Sequence, residues 1–312
     1  MIENLIYFSL SCLVLVVAGI YLVKSLSSLA RFLGISEFSA AFIIMAFASS
    51  IPELFVGISS AFAGNPALSL GNIIGANIIN LTLISGIIII LGKEIKIKSK
   101  KIGQDVYFML ISILLVIILY TIGETLSRID GVILLIVFSF HTYGVFKKRK
   151  RYPKKIKRNK KGGKEFMWLM IFILALMMLF LSSNFVVRYG SRLALDLQLP
   201  EIMLGLFILS IATTLPELVF GISAINQKHK VMAVGDQIGS VVTNTALILG
   251  LVAVIHPITV EFFPFIISSI FMFISAFIFV TFLKTGQKLE KIEGISLIFL
   301  YVLFILIEFF AK

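Results

Sequence analysis

The chain has 312 residues, of which 59% are hydrophobic and only 14% charged, and it carries a formal net charge of +12. Its mean hydropathy of +1.07 and its apolar share exceed the roughly 45–50% apolar content of a soluble domain, which excludes an ordinary water-soluble globule. The single cysteine, Cys12, excludes a disulfide framework and a thiolate metal site.

Apolar runs of about 20 residues recur along the whole chain, each long enough to cross about 30 Å of hydrocarbon as a helix. They lack the residue-by-residue alternation of a membrane β-barrel. The reading is an all-α polytopic membrane protein. Charged and Gly/Pro breaks give ten predicted spans, at 4–23, 37–62, 68–91, 106–122, 130–146, 166–187, 201–225, 231–255, 261–283 and 293–310. The first is taken as a span and not a signal peptide, because Glu3 is its only early charge and "YLVKSLSSLARF" is a poor cleavage context.

Between the fifth and sixth spans lies "KKRKRYPKKIKRNKKGGK" (147–164), with 12 of the 28 Lys and Arg residues. A connecting loop at an anionic membrane surface fits this run better than a nucleic-acid arm, so lipid and not nucleic acid is the expected partner. With that loop in the cytoplasm, alternating spans put 24 of the 28 basic residues inside and leave only Arg128, Arg188, Arg192 and Lys312 outside. The expected placement is the cell membrane, multi-pass, with both termini extracytoplasmic. Nothing in the sequence fixes the oligomeric state.

The stretch "SSIPELFVGISS" at 49–60 returns as "TTLPELVFGISA" at 213–224, an ungapped offset of 164. The same offset lays "GNIIGANIINLTLISG" over "GDQIGSVVTNTALILG", matching Gly71, Gly75, Asn80 and Gly86 with Gly235, Gly239, Asn244 and Gly250. The domain reading is therefore a first five-span repeat at 1–146, the basic loop at 147–164 and a second five-span repeat at 165–312, with Pro-Glu motifs at 49–54 and 213–218. An odd number of spans per repeat forces inverted topology, the architecture of secondary transporters with a site near the membrane midplane.

Glu53 and Glu217 fall within spans 2 and 7, where an unpaired charge costs at least about 2.5–3.5 kcal/mol. The preceding prolines remove a helix donor and clash with the carbonyl four residues back, which loosens the backbone near Ala48 and Ala212. The hydroxyls of Ser49, Ser50, Thr213 and Thr214 stand beside them, and oxygen-only surroundings suit hard cations such as Ca²⁺, Na⁺ or Mg²⁺. On span 3, Asn72, Ala76 and Asn80 share one face at i, i+4, i+8; on span 8, Asp236, Ser240 and Asn244 do the same. Gly71–Gly75 and Gly235–Gly239 permit close backbone approach between helices. The histidines are read as incidental and Glu308 as interfacial.

At these residues the chain resembles the cation/calcium exchanger superfamily, and in particular its prokaryotic sodium/calcium exchangers, which carry two inverted repeats with G-[TS]-S-x-P-E and G-N-x-x-G-S-N-x-x-[ND] motifs. Here they read "ASSIPE" with "GNIIGANIIN", and "ATTLPE" with "GDQIGSVVTN". The resemblance implies that Glu53 and Glu217 bind Ca²⁺ directly, with the carbonyls of Ser49 and Thr213. It implies flanking sodium sites at Ser50, Thr214 and Ser240 with carbonyls of Ala46 and Ser210, and a centre closed by Asn80 and Asn244. Departures from the pattern are Ala48 and Ala212 for glycine, Ala76 for serine, Asn244 for aspartate and Asp236 for asparagine.

The expected function is a membrane antiporter, not an enzyme, that exchanges Ca²⁺ for Na⁺ or H⁺ by alternating access and needs no prosthetic group. Proton coupling or transport of Mg²⁺ or Mn²⁺ is the alternative within the superfamily. A cation channel or a two-carboxylate intramembrane enzyme is the alternative outside it.

Overall fold

The computed structural model describes residues 2–32, 46–96, 103–149, 165–285 and 288–310. Helix dominates, as the apolar runs require: in hydrocarbon every backbone donor and acceptor must be paired within the protein, and a helix does this inside one segment. The chain opens with α1 (Ile2–Phe32), followed by α2 (Ala46–Ser49) and α3 (Ile51–Phe62), which are separated by a break at Ser50. One long rod follows, made of α4 (Pro66–Ile79), a π-helical stretch (Asn80–Ile84) and α5 (Ser85–Gly92). Strand β1 (Glu94–Lys96), α6 (Gly103–Gly123) and α7 (Arg128–Arg149) come next.

The second series begins with α8 (Glu165–Asp196). A rod of α9 (Glu201–Leu204), a π stretch (Gly205–Leu209) and α10 (Ser210–Asn226) follows. After it stands another, of α11 (Lys230–Val242), a π stretch (Thr243–Ile248) and α12 (Leu249–Ile255). The chain continues through α13 (Phe262–Thr285), β2 (Lys288–Glu290) and α14 (Lys291–Phe310).

Among the described residues, seven helical stretches are long and apolar enough to cross a membrane: Ile2–Leu26, Pro66–Gly92, Asp105–Gly123, Phe166–Asp196, Glu201–Asn226, Lys230–Ile255 and Phe265–Thr285. The expected spans at 130–146 and 293–310 are occupied by single helices, α7 and α14, of 22 and 20 residues. Of the span expected at 37–62, residues 37–45 lie outside the described residues, and the remainder is the broken pair α2–α3. Most of the basic segment, 150–164, also lies outside them. Helices α1 and α8 run well past the ends expected at 23 and 187, so Arg188 and Arg192 stand on α8 and not in a loop.

Contacts recur at the sequence offset. Glu94 pairs with Glu290 in the antiparallel β1–β2 ribbon, and Leu126 forms an isolated bridge with Ile258, close to the positions reached by adding 164 to 94 and 126. A Cβ built on Gly86 would lie 2.6 Å from the Gly294 carbonyl, and one on Gly131 2.7 Å from the Gly250 carbonyl. Those two helix crossings match at the same spacing to within one residue.

Two apolar cores divide the molecule. The larger joins the two π-containing rods Pro66–Gly92 and Lys230–Ile255 with α6, α13 and α14, around Ile73, Ile78, Ile88, Ile248, Phe265 and Phe279. The smaller is centred on α1 and α8, which pack along each other through Phe8, Leu15, Leu22, Leu179 and Val186. Their opposite faces expose Leu10, Leu13 and Val17 on α1, and Leu174, Met177 and Leu181 on α8. An apolar exterior of this kind is stable against lipid and not against water.

Candidate functional site

The site forms where α2–α3, α4, α10 and α11 meet. At the first Pro-Glu motif the helix breaks: Ser50 has φ −80° and ψ 5°, and Pro52 opens α3 near its N-terminus. This is the local opening that the proline predicts. At the second motif the expectation is corrected, because α10 runs unbroken through Pro216. The π stretch Gly205–Leu209 precedes that motif instead, so the extra residue in the helical turn is accommodated upstream of the proline. The other two π stretches begin at Asn80 and Thr243, and so hold the equivalent asparagines Asn80 and Asn244.

Glycines set the wall spacing. A Cβ on Gly71 would sit 2.0 Å from the Ile202 carbonyl, and one on Gly75 would sit 2.3 Å from the Leu206 carbonyl and 2.7 Å from Ser210. The rods Pro66–Gly92 and Glu201–Asn226 therefore touch backbone to backbone, as the Gly71–Gly75 spacing predicts. Across the other side, Gly19 of α1 lies over both prolines; a Cβ there would be 2.7 Å from Pro216 Cγ and 3.1 Å from Pro52 Cγ.

Glu53 and Glu217 are fully buried, as are Ser49, Asn72, Asn80, Ser210, Thr213, Asp236, Ser240 and Asn244, and Ser50 and Thr214 are nearly so. Three polar groupings emerge among them. In the first, Ser49 Oγ donates to Asp236 Oδ1 at 3.4 Å and lies 3.2 Å from Ser240 Oγ. In the second, Thr213 Oγ1 donates to Asn72 Oδ1 at 3.0 Å. In the third, Asn244 Nδ2 donates to Asn77 Oδ1 at 3.2 Å, and Asn77 Nδ2 donates to Thr245 Oγ1 at 3.2 Å and to Met272 Sδ at 3.4 Å.

The glutamates sit between these groups. Glu53 faces Thr213 and Asp236, while Glu217 faces Ser49, Glu53 and Asp236, so each carboxylate approaches the hydroxyl of the other motif. Neither oxygen of either glutamate has a hydrogen-bond partner, and the Ser50 hydroxyl, Asn72 Nδ2 and both amide atoms of Asn80 are likewise unpaired. A buried group left in this condition costs about 1–3 kcal/mol, more when charged, unless a ligand satisfies it. Among the described residues no three His, Cys, Asp or Glu side chains lie close enough to hold a metal by themselves. Hydroxyls, amides and carbonyls must then complete any cation shell here, as they do for hard cations.

Two expected ligands have different surroundings from those anticipated. The Ser210 carbonyl already accepts from Thr214 Oγ1 at 2.8 Å and Thr213 Oγ1 at 3.4 Å. Ala46 begins α2, and Asp236 accepts from its neighbour Gln237 Nε2 at 3.3 Å. Asn77, next to the departing Ala76, was not singled out by sequence reasoning, although its amide, two residues after Gly75, could have flagged it. His141 lies away from the glutamates: its Nε2 is 3.1 Å from Asp105 Oδ1, and its ring stacks on Phe108 at 4.2 Å between centroids. Glu308, close to the end of α14, is buried within the protein and accepts from Ser268 Oγ.

A helical membrane protein with unpaired carboxylates and amides enclosed between its rods belongs with the carriers of inorganic cations. The family described as "Sodium/calcium exchanger protein" matches residues 3–147 and 167–310, and the chain belongs to that family. It is 26% identical to the sodium/calcium exchanger MaX1 of Methanosarcina acetivorans, over 98% of this chain and 99% of that one. It is also 26% identical to the uncharacterized membrane protein MJ0091 of Methanocaldococcus jannaschii, over 95% of each. Its fold matches that of the sodium-calcium exchanger NCX_Mj soaked with 2.5 mM Na⁺ and 1 mM Sr²⁺, with a TM-score of 0.67, 25% identity and 98% of both chains covered.

Proposed function

We propose that this chain is a cation antiporter that exchanges Ca²⁺ for Na⁺ or H⁺ by alternating access, with Glu53 and Glu217 as the divalent ligands. The observation that carries this reading is the pair of fully buried glutamates whose four oxygens accept no hydrogen bond of normal geometry. Ser49, Ser50, Thr213, Thr214, Asn72, Asn80, Asp236, Ser240 and Asn244 line the same enclosure, with Ala46 and Ser210 contributing backbone. Monovalent ions or protons on these carboxylates weaken Ca²⁺ binding, and that competition couples the two fluxes.

The reading includes ten spans in two inverted five-helix repeats, 1–146 and 165–312, joined by the basic segment 147–164. The recurrence of the β pairing, the glycine crossings and the Ser49–Asp236 and Thr213–Asn72 contacts at nearly one offset supports it. The basic segment would lie at the anionic cytoplasmic surface, with both termini outside. Helices α1 and α8 pack along each other and make up most of the smaller core, which supports their moving together as one unit.

A second reading, exchange coupled to protons or carrying Mg²⁺ or Mn²⁺, is favoured by Ala76 and Asn244 where the resemblance leads one to expect serine and aspartate. The test of the site is ⁴⁵Ca²⁺ flux in proteoliposomes bearing Glu53→Gln or Glu217→Gln. Each substitution keeps the side-chain shape and removes the charge. Flux should vanish while the purified protein stays monodisperse; transport near wild type in either variant refutes the assignment.

A further inference from the structure

We propose that the outward seam between α1 and α8 is a lipid site: it takes one acyl chain of an anionic phospholipid, whose phosphate meets Lys24. None of the residues that line it belongs to the glutamate enclosure, and the inference does not depend on which ions the protein carries.

Between the two helices lies a recess of about 390 Å³ whose lining is wholly apolar. Val14, Val17 and Tyr21 form one wall, and Ile171, Leu174 and Met178 the other. Ala18 and Ala175, both buried, lie between them at the seam, and their short side chains leave the space open. Larger side chains, Leu15, Leu22 and Leu179, fill the inner side of the same two helices. Val17, Tyr21 and Leu174 are exposed, and both helices belong to stretches apolar enough to cross a membrane, so the recess opens onto hydrocarbon. Its volume is that of a ligand site, and an apolar recess facing hydrocarbon takes an apolar chain.

Depth and chemistry select the occupant. Along α1 the recess runs from Leu13 to Tyr21, about 12 Å at 1.5 Å per residue, and along α8 from Ile171 to Met178, about 10 Å. Half the hydrocarbon core is about 15 Å thick, so the recess fits a single leaflet. The apolar stretches Ile2–Leu26 and Phe166–Asp196 centre on residues 14 and 181. The helices run antiparallel, with Asn4 bonded to Asp196 and Tyr7 stacked on Tyr189, so the recess occupies the same half of both. That half ends in Tyr21, with Lys24 Nζ 5.5 Å from its ring centroid, and in Trp168, one turn before Ile171. Tyr, Trp and Lys are the side chains that sit where hydrocarbon meets headgroups. Lys24 is exposed and continues the Val14–Val17–Tyr21 face of α1, as Trp168 continues the Ile171–Ala175–Met178 face of α8. The run 147–164, with its 12 Lys and Arg residues, precedes α8 in the chain at this same end, and its charge also favours an anionic headgroup.

Trp168 is the only tryptophan in the chain and so reports on this seam directly. Full-length protein purified in detergent is titrated with phosphatidylglycerol or phosphatidylcholine brominated at mid-chain, and the quenching of Trp168 fluorescence is followed. Wild type should show saturable quenching with at least about fivefold higher affinity for phosphatidylglycerol, the amount that one interfacial lysine confers. Lys24→Gln should lower that preference about fivefold. Ala175→Phe fills the recess and should abolish the saturable phase for both lipids. Met177→Phe adds similar bulk on an exposed part of α8 outside the recess and should leave that phase unchanged. Lys24→Gln carries the test if Ala175→Phe fails to fold. Equal affinity for the two lipids in wild type, full preference in Lys24→Gln, or saturable quenching that survives in folded Ala175→Phe overturns the proposal. So does quenching that never saturates, the signature of a lipid coat alone, or a saturable phase lost equally in Met177→Phe. A wild-type dimer that Ala175→Phe splits also overturns it, and puts a second copy of the chain in the seam.

Discussion

Gly75→Ala adds a single methyl group where the two wall rods meet. The new Cβ would lie 2.3 Å from the Leu206 carbonyl and 2.7 Å from both Cβ and Oγ of Ser210, all below the 3.0 Å that real Cβ contacts keep. Restoring 3.0 Å to the carbonyl alone requires the rods to part by about 0.7 Å, a shift larger than the roughly 0.3 Å range of Ca²⁺–oxygen distances. The obstacle is backbone, so no rotamer change relieves it. Overpacking of this kind costs about 1–3 kcal/mol of stability. Because α4 carries Asn72 and α10 carries Thr213 and Glu217, the same separation should weaken Ca²⁺ binding by at least about tenfold. The assay is ⁴⁵Ca²⁺ equilibrium binding with a thermal unfolding scan on the same preparation. Gly144→Ala is the control: that glycine is on α7 with open space around its Cβ position, and alanine there should stabilise by up to about 1 kcal/mol. Wild-type affinity and midpoint in Gly75→Ala would refute the close approach as the element that sets the site.

Asn77→Ala should lower the unfolding midpoint, because it leaves the Asn244 amide unpaired in a fully buried position at a cost of about 1–3 kcal/mol; an unchanged midpoint contradicts the network. Gly19→Val should cut ⁴⁵Ca²⁺ flux at least about tenfold with binding retained, since the added atoms wedge α1 against Pro52 and Pro216. Equal losses of binding and flux would mean that the contact only supports the fold.

Much of the site was legible in the residues alone. Proline followed by glutamate inside an apolar run has few physical solutions, and its recurrence in register with glycines and asparagines marked both the rods and the enclosed oxygens. The register is visible because each of those residues does one thing that others cannot. Glycine permits close approach, proline loosens the backbone, and carboxylate and amide supply charge and polarity. The π stretches were not legible, since one extra residue in a turn leaves the apolar pattern almost unchanged. Nor was the difference between the two motifs, with a break at Ser50 and an unbroken α10 at Pro216, because both sequences lose the same hydrogen bond and only the surrounding packing decides where the strain goes. The partners of Glu308 and His141 were not legible either, for one reason. Position near a span end suggests exposure, but their partners Ser268 and Asp105 come from a helix 36 to 40 residues away in sequence, and no local pattern reveals that.

The central claim is coupled exchange at the paired glutamates. The measurement that meets it most directly is ⁴⁵Ca²⁺ uptake into proteoliposomes under an outward Na⁺ gradient, an outward H⁺ gradient and no gradient, with Glu217→Gln beside the wild type. The account predicts saturable uptake that requires one of the two gradients and disappears in Glu217→Gln. Uptake of equal size with no gradient, or uptake that survives the substitution, would contradict it.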